Sequence, residues 1–67
     1  MDTIKRVQDL MQERDMNLCV LAKKCGISYS TIQTTARRGG QLSVETIERI
    51  CLGLGITLKD FFDSSYF

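Results

Sequence analysis

The sequence contains no histidine and no proline, and its apolar residues never form a long uninterrupted run. Without histidine, neither a Ser-His nor a Cys-His pair can form, which excludes the commonest nucleophilic enzyme sites. No apolar run approaches the ~18 residues that cross a bilayer, and the first residues lack the apolar stretch of a signal peptide. We therefore expect a non-enzymatic, cytoplasmic protein that does not associate with membranes.

Cysteine is also sparse, and the three present are Cys19, Cys25 and Cys51. Their number is odd and no two have the C-x-x-C spacing, which argues against a disulfide framework and against a zinc site. No glycine-rich phosphate-binding loop is present. The sequence thus predicts reduced thiols packed as small apolar groups, with no cofactor, metal or small-molecule ligand.

The short length of 67 residues predicts a single domain over residues 1–67. A domain of this size buries only about 60% of the surface of its unfolded chain, which leaves little room for a deep active-site cavity. The hydrophobic content of 43% is sufficient for one compact core.

The net charge is only +1, but the charges are unevenly distributed. Residues 1–38 carry seven basic and four acidic side chains, whereas residues 39–67 carry two basic and four acidic ones. A polyanion would therefore approach the N-terminal half. Ordinary scatter of surface charge is the alternative, and the counts alone favour neither.

Apolar residues recur at intervals of three and four, as in amphipathic helices. This spacing predicts an all-α fold of five helices, of which the third, from Tyr29 to about Arg37, has the thinnest apolar face. The apolar positions of the other four are Ile4, Val7, Leu10 and Met11; Leu18, Leu21, Ala22 and Cys25; Val44, Ile47, Cys51 and Leu54; and Leu58, Phe61 and Phe62.

Four helix starts carry the same local signal, a capping side chain with an apolar residue just before it and another four positions after it. The predicted caps are Asn17, Ser28, Ser43 and Thr57. Thr57 is followed three residues later by Asp60, which predicts a capping box. Four such matches in register with the apolar periodicity are unexpected by chance.

The second and third helices are separated only by Gly26 and Ile27. Gly26 suits the left-handed conformation that ends many helices. So short a connection forces a sharp crossing, which predicts a helix-turn-helix over about residues 17–38. In that geometry the second of the two helices projects outward.

The third helix carries four side chains with hydrogen-bonding groups opposite Ile32: Tyr29, Ser30, Gln33 and Thr34. Glutamine pairs with adenine through two hydrogen bonds, and hydroxyl groups bond several base edges, so these four residues are predicted to read bases in the major groove. A solvated helix face is the alternative. Serine and threonine are poor helix formers, however, which favours the first interpretation.

Contacts with DNA phosphates are expected on either side of that helix. Arg37 and Arg38 lie at its end, before Gly39 and Gly40. Arginine matches phosphate geometry, and the amides of a glycine turn can also donate to phosphate. The N-terminal amides of the helices capped by Asn17 and Ser28 can face phosphates too. A flexible basic loop without a partner is the alternative for the arginines.

Three segments match one family pattern: Leu21-Ala22-Lys23-Lys24-Cys25-Gly26-Ile27-Ser28, Ser43-Val44-Glu45-Thr46-Ile47 and Leu52-Gly53-Leu54-Gly55-Ile56-Thr57-Leu58. With the helix-turn-helix, they resemble the Cro and phage-repressor helix-turn-helix family, also called the XRE type, over about residues 3–62. The resemblance implies a compact, lambda-repressor-like five-helix bundle. It also implies base reading from the four positions of the third helix, phosphate contacts near Asn17, Ser28 and the following loop, and a bacterial or phage protein associated with the nucleoid when bound.

The expected function is transcriptional repression through binding to double-stranded DNA. A homodimer is expected because one recognition helix contacts only a few base pairs. Four aromatic residues in or near the short tail of residues 63–67 are expected at the dimer interface, namely Phe61, Phe62, Tyr66 and Phe67. Folding of this tail onto its own core is the alternative. A protein-interaction module of the same fold, such as an antitoxin-like or assembly partner, is the second functional hypothesis. It is favoured by the low net charge and by apolar Leu18, where the family often has a polar residue.

Overall fold

A computed structural model describes residues 2–67 and shows five α-helices without a strand in that range. The predicted all-α class and the number of helices are confirmed. None of the helices within residues 2–67 has the length and apolar character required to cross a membrane. The elements are α1 (Thr3–Glu13), α2 (Leu18–Cys25), α3 (Tyr29–Arg37), α4 (Val44–Leu54) and α5 (Leu58–Phe62).

Three of the four predicted caps are confirmed. The side chains of Asn17, Ser43 and Thr57 each accept a hydrogen bond from the backbone N–H three residues later. The Asp60 carboxylate in turn accepts from the Thr57 N–H at 3.2 Å, which completes the capping box. These backbone and side-chain bonds with Thr57 lower the pKa of Asp60. Asp2 caps α1 in the same way, although the local signal is incomplete there because the residue four positions later is Arg6 and not an apolar one.

The core lies between all five helices, and each contributes at least one buried side chain. Phe61 is 0% exposed, so the expectation that its ring lies at a subunit interface is corrected. Its ring belongs to the core of the single chain because it fills the space that the larger helices enclose. The buried apolar residues are Val7, Leu10, Leu21, Ala22, Cys25, Ile32, Leu42, Ile47, Ile50, Cys51 and Phe61.

The three cysteines are free thiols, as expected, but they differ in environment. Cys25 and Cys51 are buried, and burial raises the pKa of both thiols. Cys19 is exposed, so the prediction that it packs as an apolar group is wrong. Among residues 2–67, no three potential ligands from His, Cys, Asp and Glu come together to hold a metal ion.

Helices α2 and α4 approach each other closely at Gly53. A Cβ atom on Gly53 would lie 2.9 Å from the Cα and 3.1 Å from the Cβ of Cys25. Both distances are shorter than van der Waals contact, so only glycine fits between the helices. Close packing between α2 and α4 therefore explains the glycine within α4.

The loop after α3 is attached to the start of α1 through Thr3, a fully buried polar residue. The backbone N–H and the hydroxyl of Thr3 both donate to Gln41 Oε1 at 2.8 Å. The same hydroxyl accepts the Leu42 N–H at 2.9 Å. These bonds join residues almost forty positions apart, and they fix the path of the chain between α3 and α4.

The C-terminal residues fold back onto the helices. The Tyr66 phenol donates a hydrogen bond to Asp9 on α1, and this bond raises the pKa of Tyr66. The ring of Phe67 lies 6.1 Å from that of Phe61 and 4.9 Å from that of Phe62. Arg6 also donates to the carbonyl oxygens of Asp60 and Phe61, which ties the end of α5 to α1.

Replacement of Gly53 by Ala should destabilise the protein by about 1–3 kcal/mol because the added methyl group separates α2 from α4. The gain in helix propensity, about 1 kcal/mol, acts in the opposite direction. The matched control is Gly40→Ala, whose Cβ would lie at an ordinary 3.7 Å from Thr35. Urea denaturation measures both variants, and a Gly53→Ala protein as stable as the parent would contradict the close contact.

Replacement of Thr3 by Val should reduce the free energy of unfolding by about 1–3 kcal/mol, because it leaves the buried Leu42 N–H without an acceptor. Thr34→Val makes the same chemical change at an exposed position and should alter stability by less than about 0.5 kcal/mol. Thermal unfolding followed by circular dichroism compares the two. Equal effects would show that the Thr3 hydroxyl does not stabilise the loop.

Candidate nucleic-acid interface

The connection between α2 and α3 has the geometry that the sequence predicts. Gly26 adopts the left-handed conformation with φ 65°, and its N–H donates to the Ala22 carbonyl oxygen. The Ile27 N–H donates to the same oxygen at 3.0 Å. Because α2 ends at Cys25 and α3 begins at Tyr29, the chain changes direction within three residues.

Arg49 on α4 forms a hydrogen bond with this turn. Its Nη1 donates to the Gly26 carbonyl oxygen at 3.3 Å, and its Nη2 donates to Glu45 at 3.3 Å. The sequence gives no indication of this role, because the two partners are 23 positions apart. Arg49 thus connects the turn to the helix that packs against α2.

The exposed face of α3 carries the four predicted base-reading residues. Ile32 is the buried residue of this helix. Tyr29, Ser30, Gln33 and Thr34 are all exposed, so another molecule can reach their hydroxyl and amide groups. Gln33 Nε2 donates to the Tyr29 phenol oxygen at 2.8 Å, which couples two of the four.

The predicted cap at Ser28 does not form. Ser28 occupies the N-cap position of α3 with an extended backbone, but its side chain makes no capping bond. Its hydroxyl lies 2.9 Å from that of Ser30 instead, so the two serines satisfy each other. The first amides of α3 consequently have no side-chain acceptor and remain open to an outside one.

At the end of α3, two backbone amides are already hydrogen-bonded within the chain, and two arginine side chains are exposed. Gly39 N–H donates to the Ala36 carbonyl oxygen at 3.1 Å, and Gly40 N–H donates to that of Thr35 at 3.0 Å. These two amides close the helix, so the expectation that they donate to phosphate is corrected. Arg37 and Arg38 are exposed, and the ion pairs found within residues 2–67 involve neither of them.

The remaining predicted phosphate contact, Asn17, lies at the start of α2. Its side-chain oxygen accepts from the Val20 N–H at 2.9 Å. Asn17 is exposed, and the NH₂ group of its amide is not required for the cap. Next to it, Leu18 is half-buried against the core, so this position offers apolar surface in place of a polar donor.

The comparisons with known proteins agree with this geometry. A sequence profile of the Cro/C1-type HTH DNA-binding domain matches residues 6–64, which include the whole helix-turn-helix and all but the start of α1. Searches of curated proteins and of solved structures found no match. Since the profile covers most of the chain and the five helices fit it, the chain belongs to the Cro/C1-type helix-turn-helix DNA-binding family.

Proposed function

We propose that this protein is a sequence-specific transcriptional repressor that binds a palindromic operator as a dimer, with α3 in the major groove. The observation that carries the proposal is the exposed polar face of α3. Ile32 attaches the helix to the core, and the opposite side presents Tyr29, Ser30, Gln33 and Thr34. Their donors and acceptors are those that base edges in the major groove can pair with.

Contacts with the DNA backbone would orient α3. Arg37 and Arg38 are exposed and unpaired with acids at its C-terminal end, where phosphates are the natural partners. At its N-terminal end, the uncapped amides near Ser28 suit an anionic oxygen. The Asn17 amide can donate to the same strand. We infer that these four residues hold the helix in the groove from both ends.

The dimer interface would lie on α5 and the C-terminal residues. Leu58 and Phe62 are one turn apart on α5, and both are about 40% exposed. Phe67 packs against Phe62 and is exposed to a similar degree, so the three form one apolar surface with Tyr66 beside it. Reading of a palindromic operator would require such a dimer to hold its two copies of α3 about 34 Å apart, in successive major grooves.

Repression is the regulatory effect that this arrangement supports most directly. A dimer bound across a promoter hinders transcription simply by occupying the DNA, and no further activity is required. In the cytoplasm, regulation would then depend on protein concentration, on dimerisation and on overlap between operator and promoter.

The double substitution Arg37→Ala and Arg38→Ala should weaken binding to every duplex, because fewer phosphates are neutralised. The slope of log K against log salt should become shallower by about 0.9 for each phosphate that the variant no longer neutralises. Fluorescence anisotropy over a salt series measures both effects.

The matched control for the arginines is Lys23→Ala with Lys24→Ala, which removes the same charge from exposed positions of α2. Equal slopes for the two double variants would contradict the phosphate contacts. A parent chain without salt-dependent binding to duplex DNA would favour the second hypothesis, a protein partner.

Substitution of Phe62 by Ser should convert a dimer into a monomer and weaken operator binding by at least about tenfold, because it removes the centre of the apolar surface. Sedimentation equilibrium gives the association state. Val44→Ser is the control, since Val44 is 68% exposed on the first turn of α4 and lies outside that surface. A parent chain that stays monomeric at high concentration would contradict the proposed dimer.

A further inference from the structure

The hydrogen bond between Tyr29 and Gln33 joins two of the predicted base-reading side chains on the outward face of α3. The donor is Gln33 Nε2 and the acceptor is the Tyr29 phenol oxygen, at 2.8 Å. The residues are four positions apart, so they lie one above the other on the same side of the helix. Both are exposed, so a molecule approaching α3 can reach them.

We propose that Tyr29 is a positioning residue, which orients the Gln33 amide so that the pair selects adenine at one operator position. The inference rests on the proposed function, in which α3 enters the major groove. It assigns different roles to two residues that the sequence treats as equivalent base readers: Gln33 contacts the base, and Tyr29 acts through Gln33.

The donors and acceptors of Gln33 account for the choice of base. Its amide has two N–H groups and one oxygen. Tyr29 takes one N–H, and one N–H and Oε1 remain. Adenine presents an acceptor at N7 beside a donor at N6, which matches this remaining pair in two hydrogen bonds. Guanine presents acceptors at both N7 and O6, so Oε1 would face an oxygen there without a proton between them.

In the complex with DNA, the phenol would also fix which way the amide faces. Because the Tyr29 oxygen accepts from Gln33, its own proton is free to go to an acceptor on the DNA. The phenol proton would point to a phosphate oxygen, a contact that does not select a base and that keeps the phenol oxygen an acceptor toward Gln33. A reversed amide would place Oε1 against that oxygen, and no proton would lie between them. Binding thus reinforces the orientation that is already present in the free protein.

Orientation before binding matters because glutamine has a long, freely rotating side chain. Holding such a side chain in one conformation costs entropy, and a contact that is ordered in advance avoids most of that cost on binding. A free glutamine could also turn its amide to suit other bases. The bond to Tyr29 therefore affects discrimination between bases more than the overall strength of binding.

The test compares three variants with the parent: Tyr29→Phe, Gln33→Ala and the double variant. The parent's preferred operator is first selected from a random duplex pool, and dissociation constants are then measured on that operator and on versions with each other base at every position. We expect Tyr29→Phe to reduce the preference for adenine at one position by about fivefold, the weight of one neutral hydrogen bond. Preferences at the other positions should stay unchanged.

The double variant separates positioning from direct contact. If Tyr29 acts through Gln33, removal of its hydroxyl should have little further effect on the preference for adenine once Gln33 is replaced by Ala. An equal loss of adenine preference in both backgrounds would overturn the inference, because it would show that Tyr29 contributes to the choice of base independently of Gln33. Unchanged discrimination in Tyr29→Phe would overturn it as well.

The matched control is Thr35→Val, which removes another hydroxyl that bonds four residues back on α3. Thr35 Oγ1 donates to the Thr31 carbonyl oxygen at 2.9 Å and takes no part in the outward face. This variant should keep every base preference, and a shift as large as that of Tyr29→Phe would overturn the inference by attributing the effect to the helix itself. A parent chain that selects no sequence would overturn the proposed function and this inference together, whereas selective binding that is unaffected by Tyr29→Phe would overturn the inference alone.

Discussion

The candidate nucleic-acid interface depends on one constraint, the change in chain direction within three residues between α2 and α3. Gly26 makes this turn possible through its left-handed backbone, and Arg49 bonds to its carbonyl oxygen from α4. Helix α2 is itself fixed against α4, where Gly53 leaves no room for a methyl group. The turn therefore starts from a rigid pair of helices, and the direction of α3 follows from it. Without that rigid base, the polar face of α3 would have no defined orientation.

Much of the fold is readable from the sequence because its signals are local. A cap and the amide that it accepts are three residues apart, as at Asn17, Ser43 and Thr57. The left-handed glycine after α2 is likewise determined by its immediate neighbours. The spacing of apolar residues separates Ile32 from the polar side of α3, and the structure shows Ile32 as the buried residue of that helix. The sequence therefore indicates which residues form the candidate site, although it does not give their arrangement.

The parts that the sequence does not reveal depend on distant partners or on competition between similar ones. Thr3 meets Gln41 and Leu42 only when the chain has folded, and nothing near Thr3 marks it as buried. Ser28 has the right position for a cap, but its hydroxyl bonds to the hydroxyl of Ser30 instead of to a backbone N–H of α3. The spacing of apolar residues does not distinguish Phe61, which is buried, from Phe62 and Phe67, which are exposed. Each is a three-dimensional outcome of residues whose local preferences are ambiguous.

The way α3 is attached to the rest of the molecule has an evolutionary consequence. Of its nine residues, Ile32 is the buried one, so the remaining positions contribute little to holding the helix in place. Substitutions along the outward side can therefore accumulate without unfolding the protein. A lineage carrying this scaffold can acquire a new target site by changing a few surface residues, while the turn, the rigid helix pair and the folded state are inherited unchanged.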